Sequence, residues 1–422
     1  MNTKIQAIRG MRDVLPEETP TWQWLESKFR HMAFRYGYQE MRLPLLEPVE
    51  LFQRAVGEAT DIVSKEMYNF TDKNGEHITL RPEGTSGCMR AVLENNLCYN
   101  KTQRLWYQGS MFRYERPQKG RLRQFTQFGV EAFGMAGPEV DAEMLFMLRD
   151  LFHDLGLTPY LRLEINSLGT PDERRQHRIK LVEWFTQHSE LLDEDSLRRL
   201  ESNPLRILDS KNPQMQPMLE QAPRLLDYLK DDSRRHFDTL CELLDKVAIP
   251  YTVNPRLVRG LDYYTRTVFE WVTSELGSQG TVCGGGRYDG LAELFNPKPL
   301  PACGFAIGIE RLLLLIQSVS QQDNPQWHFS PDVVITHEQQ NDGVESQLLA
   351  ELLRQRIVGL KVLVDCSGSK LKRQHQSALQ SQCSAIVTIN ADSTIRLWDL
   401  PSSQQMTCDE KTLIEWLQQY HH

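Results

Sequence analysis

Apolar side chains recur at helical spacing near the start of the chain. They are separated by three or four positions and fall on one face of a helix: Trp22, Leu25, Phe29, Ala33 and Tyr36. Gly37 follows them, at the kind of position where helices end. The pattern predicts an amphipathic helix over residues 17–36.

The next apolar run, residues 38–48, contains Pro44. Proline cannot donate a hydrogen bond to a neighbouring strand, so it confines a strand to the edge of a sheet. The run therefore predicts either an ordinary edge strand or a strand at an interface between two copies of the chain.

Within residues 104–134, apolar and polar positions alternate with a period of two in two stretches that are joined by a basic loop. This pattern predicts two long paired strands. In such a hairpin, Arg113, Gln127 and Glu131 would lie on one surface of the sheet. Gly109 and Gly129 are expected to leave room above that surface for a ligand.

The loop between these two strands is basic. Residues 104–123 contain six Arg and Lys residues against one acid, although the whole chain carries a net charge of −8. This imbalance predicts a local binding site for an anion, and the alternative is a charged loop that is only solvated.

A short strand that ends at Pro82 is followed by the start of a helix. Glu83 and Thr85 place a carboxylate and a hydroxyl at the helix N-terminus, where both groups are common caps. The same groups can also contact a ligand, and the local pattern leaves both interpretations open.

Residues 170–250 differ from their surroundings. They begin with Thr170-Pro171-Asp172-Glu173, which has the form of a capping box with proline at the first helical position. Helical periodicity continues without β-branched runs, and no catalytic constellation is visible. These residues predict an all-helical insertion.

Residues 259–264 read Arg-Gly-Leu-Asp-Tyr-Tyr and precede a β-rich stretch. In an extended chain, Tyr263 and Tyr264 would point to opposite faces, so only one could face a pocket unless the backbone bends. Taken alone, the segment fits a surface turn as well as it fits a binding site.

Two further features precede the last part of the chain. The glycines at 284–286 match neither a dinucleotide-binding nor a P-loop pattern, and they predict a close approach of the backbone to a ligand. Arg311 lies in the first turn of a predicted apolar helix, where a guanidinium needs a partner. We interpret it as a phosphate ligand, and the alternative is a salt-bridged structural arginine.

Polar residues 317–330 predict a linker. Beyond it, residues 332–422 alternate between strand and helix patterns and predict a small α/β domain.

Composition narrows the class of protein. A chain of 422 residues with 40% hydrophobic and 25% charged residues is typical of a soluble protein with two or three domains. Eight scattered cysteines without a CxxC pair predict reduced thiols in a cytoplasmic enzyme. No apolar run approaches the ~20 residues that cross a bilayer, so no membrane partner is expected.

Three motifs together resemble histidyl-tRNA synthetases of the bacterial type, which are class II aminoacyl-tRNA synthetases. They are Leu80-Arg81-Pro82-Glu83-Gly84-Thr85, Arg113-Tyr114-Glu115-Arg116-Pro117-Gln118-Lys119-Gly120-Arg121 and Arg259-Gly260-Leu261-Asp262-Tyr263-Tyr264. Pro44, Arg113 and Arg311 resemble the positions of class II motifs 1, 2 and 3. The resemblance runs in order over nearly the whole chain.

The resemblance implies an α+β fold, in which helices flank the antiparallel sheet of a class II synthetase. Its catalytic domain would comprise residues 1–169 and 251–325, its helical insertion residues 170–250, and its α/β anticodon-binding domain residues 331–422. The implied homodimer would use L-histidine, ATP with accompanying Mg²⁺, and tRNA(His), without a metal site built from a protein motif. Histidyl-adenylate and pyrophosphate would form first, and histidine would then move to the tRNA 3′ end.

The resemblance also implies roles for single positions. Arg113 and Arg259 would be catalytic at the α-phosphate, and Arg259 would also bind the substrate carboxylate. Histidine would be bound by Glu83, Thr85, Gln127, Glu131, Tyr263, Tyr264 and Tyr288. ATP would be bound by Arg113, Glu115, Arg121, Phe125 and Arg311, with adenine between Phe125 and Arg311. Arg116 and Gln118 would reach the tRNA acceptor end.

Two other functions remain as alternatives. One is a histidine-sensing regulatory paralogue of ATP phosphoribosyltransferase, which would be a binding module. Such paralogues typically lack both a segment like residues 259–264 and the C-terminal domain. The other is a class II synthetase for a different amino acid.

Overall fold

The computed structural model describes residues 4–57, 60–277, 280–296, 298–319, 330–338 and 343–420. The helices are α1 (Thr19–Arg35), α2 (Val49–Val56), α3 (Thr85–Glu94), α4 (Pro138–Asp154), α5 (Pro171–Gln187), α6 (Glu194–Ser202), α7 (Gln216–Glu220), α8 (Asp231–Lys246), α9 (Ile309–Val319), α10 (Val344–Arg356), α11 (Leu371–Gln380) and α12 (Glu410–Tyr420).

The strands are β1 (Gln39–Glu40), β2 (Leu46–Pro48), β3 (Tyr68–Thr71), β4 (His77–Leu80), β5 (Gln103–Phe112), β6 (Gln124–Phe133), β7 (Arg162–Ser167), β8 (Tyr251–Val253), β9 (Thr265–Val272), β10 (Thr281–Arg287), β11 (Ala302–Gly308), β12 (Val333–His337), β13 (Val362–Val364), β14 (Ala385–Ile389), β15 (Ile395–Asp399) and β16 (Gln404–Cys408).

The chain forms two compact units, one of residues 1–15 and 22–324 and one of residues 16–21 and 325–422. The first unit is built on an eight-stranded sheet in the order β1-β5-β6-β11-β10-β9-β7-β8. Its central strands are antiparallel, and the outermost pair at each edge is parallel. Helices flank this sheet, so the predicted fold class is confirmed.

Side chains alternate between the two faces of this sheet, as the period of a strand requires. Trp106 points to the larger core, which α1, α4, α8 and α9 cover. Its neighbour Tyr107 points to the other face, where α3 and the residues around Tyr264 pack. The second face therefore carries the polar residues that the sequence singled out.

The predicted hairpin is confirmed. Strands β5 and β6 pair in antiparallel register, with Gly109 opposite Gln127 and Tyr107 opposite Gly129. The prediction that the two glycines leave room for a ligand is wrong. A Cβ at Gly109 would clash with the Arg81 guanidinium, and one at Gly129 would clash with the Tyr107 ring. Protein side chains fill that space.

The predicted single strand over residues 38–48 is also wrong. Pro44 lies between two short strands that belong to different sheets, because β1 joins the large sheet whereas β2 joins a three-stranded sheet in the order β2-β4-β3. Both strands lie at an edge, as the proline predicted.

Residues 170–250 form α5 to α8 with short 3₁₀ turns between them. Thr170 and Glu173 form the predicted capping box. Part of this helical insert has its own apolar core, which includes Leu181, Phe185 and Leu219. By contrast, α8 packs on α4 within the main core through residues such as Leu240. The exact domain boundaries stay a prediction.

The second unit is a five-stranded sheet in the order β13-β12-β14-β15-β16. Its core joins strand residues such as Ile335 to helix residues such as Leu349 and Leu413. The pattern of strands and helices predicted there is confirmed, except that β16 was missed. Most of the predicted linker, residues 320–329, lies outside the described residues.

All eight cysteines are unpaired. Within the ranges given above, no helix is both long and apolar enough to cross a membrane.

Candidate active site

A cavity of about 250 Å³ opens on the α3 face of the large sheet. Its walls come from β5, β6, β10, β11 and the loop before β9. Most of the predicted site residues line it: Glu83, Thr85, Arg113, Glu115, Arg121, Phe125, Gln127, Arg259, Tyr263, Tyr264 and Arg311. Residues that are far apart in the sequence thus meet in one place.

The predicted residue Glu131 does not line this cavity. Its side chain is almost fully buried beside residues that do, such as Thr85. Its carboxylate accepts hydrogen bonds from the hydroxyls of Thr85 (2.7 Å) and Tyr107 (3.1 Å) and from that of Tyr288. Burial raises the pKa of Glu131 to about 8, and the three hydroxyl donors oppose that rise. Gly304 makes room for this carboxylate, since a Cβ there would clash with it.

Three tyrosine rings form an aromatic wall next to Glu131. The ring centroids of Tyr263 and Tyr264 are 4.7 Å apart, and that of Tyr288 lies 5.5 Å from Tyr263 and 6.4 Å from Tyr264. Both Tyr263 and Tyr264 line the cavity, although they are adjacent in sequence. This is possible because the backbone turns before β9 begins at Thr265.

Glu83 is both a cap and part of the cavity wall. Its carboxylate accepts the backbone N–H groups of Thr85 (2.7 Å) and Ser86 (3.0 Å) at the start of α3. It nevertheless faces the cavity, and so does Gln127. The buried side-chain carbonyl oxygen of Gln127 has no hydrogen-bond partner among the residues that the structure describes. A buried acceptor without a partner is costly, so the site has an acceptor ready for a donor from a ligand.

Arg259 lines the cavity next to Tyr264. Its guanidinium forms an ion pair with Glu270 on β9 and lies 5.6 Å from the centre of the Tyr264 ring. Thr281 donates a hydrogen bond to the second oxygen of Glu270 (2.8 Å). Gly284 leaves the space that the guanidinium occupies, because a Cβ there would clash with it. The close approach predicted for this glycine is therefore to a protein side chain.

Other arginines line the same cavity as Arg259. Arg113 lies 5.2 Å from the centre of the Phe125 ring and donates a hydrogen bond to the carbonyl of Pro82 (2.9 Å). Arg311 donates to the carbonyl of Thr281 (2.6 Å), and burial together with the charge of Arg121 lowers its pKa. Like charges that are held close together and partly buried favour the binding of an anion.

Sequence reasoning missed three residues of this site. Tyr107 bonds Glu131, Glu270 pairs with Arg259, and Glu310 accepts the N–H of Thr126 (2.8 and 2.9 Å) from the start of α9. Burial raises the pKa of Glu310 to about 7. Period-two alternation places Tyr107 on the correct face, but nothing local distinguishes Glu270 or Glu310 from surface acids.

The remaining predicted residues lie elsewhere. Arg116 and Gln118 are exposed in the loop between β5 and β6 and do not line the cavity. Tyr288 is almost fully buried and does not line the cavity, but its ring packs against Tyr263 and Tyr264, and its hydroxyl bonds Glu131.

The raised pKa of Glu131 predicts a pH-dependent stability. The unfolded carboxyl loses its proton near pH 4.3, whereas the buried one keeps it to about pH 8. Unfolding therefore releases a proton between these values, and stability falls as the pH rises through this window. Relative to Glu131→Gln, the wild-type free energy of unfolding should fall by up to about 1.4 kcal/mol per pH unit.

Urea unfolding of both proteins at several pH values between 5 and 9 measures this difference. Glu94→Gln, at an exposed glutamate of α3, is the matched control and should show no such trend. A difference that stays constant over the whole range would mean that Glu131 is already ionised.

Comparison with known proteins places these residues in context. The family model for histidyl-tRNA synthetase matches residues 10–312. The apo histidyl-tRNA synthetase of S. aureus is 33% identical, with a TM-score of 0.80 over 98% of this chain and 100% of that one.

Two more distant structures share the fold. A histidyl-tRNA synthetase from a Nostoc species is 19% identical, with a TM-score of 0.67 over 99% of this chain and 100% of that one. A protein described as an ATP phosphoribosyltransferase regulatory subunit/histidyl-tRNA synthetase from Bacillus halodurans is 22% identical, with a TM-score of 0.64 over 92% of this chain and 99% of that one.

Proposed function

Because this chain belongs to the histidyl-tRNA synthetase family, we propose that it is an active histidine–tRNA ligase. The observation that carries the proposal is one cavity with two chemically different ends. One end is lined by tyrosines such as Tyr264, which pack next to the buried carboxyl of Glu131, and the other is lined by the guanidinium groups of Arg113, Arg259 and Arg311. The first end fits a polar aromatic side chain, and the second fits phosphates.

In the first step, a carboxylate oxygen of histidine attacks the α-phosphorus of ATP. A new P–O bond forms, the bond to the β-phosphate oxygen breaks, and pyrophosphate leaves with the electron pair. Both reactants are anions, so Arg113 and Arg259 would reduce their repulsion and stabilise the charge that grows in the transition state. A guanidinium suits this task because it is always charged and presents paired donors to phosphate oxygens.

In the second step, a hydroxyl of the terminal tRNA ribose attacks the carbonyl carbon of histidyl-adenylate. The C–O bond to the phosphate breaks, AMP leaves, and the hydroxyl proton is released. The exposed loop that carries Arg116 and Gln118 is the proposed contact to the acceptor end. Mg²⁺ would enter with ATP, and Glu115 and Glu310, which line the cavity, would hold it through carboxylate oxygens, the ligands that this ion prefers.

The second candidate is a histidine-sensing subunit, which the similarity to the Bacillus halodurans protein raises. A sensor needs the carboxyl and aromatic end of the cavity but has no use for several guanidinium groups beside it. The arginine cluster therefore favours the ligase.

Exchange of labelled pyrophosphate into ATP tests the proposal. Exchange that depends on histidine alone is the expected result. Exchange driven by another amino acid would indicate a different synthetase, and no exchange with a folded protein would favour the sensor.

The role of the second unit gives a separate prediction. Deleting residues 331–422 should lower the rate of tRNA charging by about 100-fold, because a tRNA contact that acts together with the active site is lost. Histidine-dependent exchange should stay within about threefold of the full-length value, since every residue lining the cavity belongs to the first unit. Equal losses in both assays would contradict a separate RNA-binding role.

We also propose a homodimer in the cytoplasm. The family resemblance supports the dimer, and the unpaired cysteines fit a reducing compartment. Light scattering behind size-exclusion chromatography would measure the subunit number.

A further inference from the structure

The segment of residues 259–264 carries three of the proposed ligand contacts, yet it is not part of a helix or strand. Its position therefore depends on what holds its backbone. One anchor comes from α2, because the N–H of Asp262 donates to the carbonyl of Val56 at the end of that helix (3.2 Å). Two further anchors come from the helical insert.

The first of these anchors is Arg174, in the first turn of α5. Its guanidinium donates a hydrogen bond of 2.8 Å to the backbone carbonyl of Tyr264. Burial lowers the pKa of Arg174, and the nearby charge of Asp262 opposes that shift. A half-buried arginine that is directed at a main-chain carbonyl fixes the path of the chain there.

The second anchor lies near the end of α6. Arg206 donates a hydrogen bond to the carbonyl of Gly260 and lies 4.0 Å from the Asp262 carboxylate. Asn203 donates to the same carboxylate (3.0 Å). On the other side, Gly57 approaches Asp262 so closely that a Cβ there would clash with it. The segment is thus held between α2 and the insert.

We propose that Arg174 and Arg206 are positioning residues for the amino-acid pocket, so that the helical insert is part of the histidine site although it touches no substrate. Arg206 bonds the carbonyl of Gly260, which immediately follows Arg259, and Arg174 bonds the carbonyl of Tyr264. The two bonds thus hold both ends of the stretch that carries the pocket tyrosines. The proposal rests on the proposed function and adds residues to which the family resemblance gave no role.

A small displacement of this segment has a large effect for a simple reason. Arg259 and Tyr264 must act together, and a shift of about 1 Å in reacting groups can lower a rate by about 100-fold. The ATP contacts proposed for Arg113 and Arg311 come from other elements. Within the segment, only Arg259 is also proposed to contact ATP, whereas the two tyrosines are proposed to contact histidine alone. Loosening the segment should therefore affect histidine more than ATP.

The test uses Arg174→Met and Arg206→Met in the full chain, because methionine keeps much of the apolar stem but has no donor. We expect the KM for histidine in pyrophosphate exchange to rise by about 10-fold or more, while the KM for ATP stays within about twofold. Arg174→Lys and Arg206→Lys, which keep a donor, should recover part of the loss. Arg175→Met is the matched control, because Arg175 is on the same helix, is 73% exposed and pairs with Asp172.

A second measurement does not depend on activity. Amide hydrogen exchange of a peptide covering residues 259–264 should be faster in both methionine variants, intermediate in the lysine variants and unchanged in Arg175→Met. If the wild-type protein showed no histidine-dependent pyrophosphate exchange, the proposed function would be refuted. The amide hydrogen exchange would still test whether the two arginines anchor the segment.

Four results would overturn the inference. The methionine variants could match Arg175→Met in both measurements. They could raise the two KM values equally. The lysine variants could show the same rise in histidine KM and in amide exchange as the methionine variants. The methionine variants could unfold while the lysine variants keep the wild-type amide exchange and histidine KM. In either case the arginine hydrogen bonds would not position the pocket.

Discussion

Replacing Arg259 with alanine is expected to lower histidine-dependent pyrophosphate exchange by about 1000-fold or more. Losing one preorganised donor to a developing charge typically costs ~100- to 1000-fold, and Arg259 is proposed to contact both reactants. Its position supports this size of effect, because it lines the cavity with Arg113 and Tyr264. Steady-state exchange at saturating ATP and histidine measures the loss.

The same change also affects stability, and the two effects must be separated. Glu270 would lose its partner, since Arg259 and Glu270 form an ion pair in which each side chain is only 17% exposed. A partly buried carboxylate without its partner destabilises a fold. Arg259→Ala should therefore be folded but less stable than the wild type.

The double variant Arg259→Ala with Glu270→Gln separates these effects. It removes the unpaired charge and keeps an acceptor for the hydroxyl of Thr281, which now bonds Glu270. We expect the melting temperature to recover while the exchange activity stays lost. If the double variant regained activity, Arg259 would matter only as the partner of Glu270.

Replacing Glu131 with leucine is expected to lower kcat/KM for histidine by about 1000-fold. Leucine has nearly the same size but cannot hydrogen-bond, so the hydroxyls of Thr85, Tyr107 and Tyr288 would lose their common acceptor. Sites that hydrogen-bond their substrate can discriminate by about 10⁴–10⁵ against analogues without the polar group. The preference for histidine over phenylalanine should therefore shrink together with the activity.

Two milder changes grade this prediction. Glu131→Gln keeps an acceptor and should lose about 10-fold in kcat/KM, and Tyr107→Phe removes only one of the three hydroxyl donors and should lose less. The assay is histidine-dependent exchange with phenylalanine as the competing amino acid. A Glu131→Leu variant with unchanged selectivity would show that the imidazole is recognised elsewhere.

Much of this site could be predicted because its signals are local. The hairpin of β5 and β6 follows from period-two alternation, and Arg311 follows from its place at the start of an apolar helix. Both rings can face a pocket only if the backbone bends at Tyr263 and Tyr264, and the turn before β9 meets that condition.

The rest could not be predicted, because it depends on pairing between distant segments. Glu270 faces Arg259 because β9 lies next to β10, with Glu270 opposite Gly284. Arg174 reaches Tyr264 only after the insert has folded against the sheet. No window of the sequence contains these relations, so the helical insert looked unrelated to the pocket.

The glycines that face the cavity limit how its substrate range could be redesigned. Gly284 and Gly304 look like spare volume in the sequence, but a Cβ at either position would strike Arg259 or Glu131. Enlarging these residues would therefore not narrow the pocket gradually; it would push aside a group that the chemistry needs. A library intended to accept other amino acids would do better to keep both glycines and to vary the aromatic wall of Tyr263, Tyr264 and Tyr288.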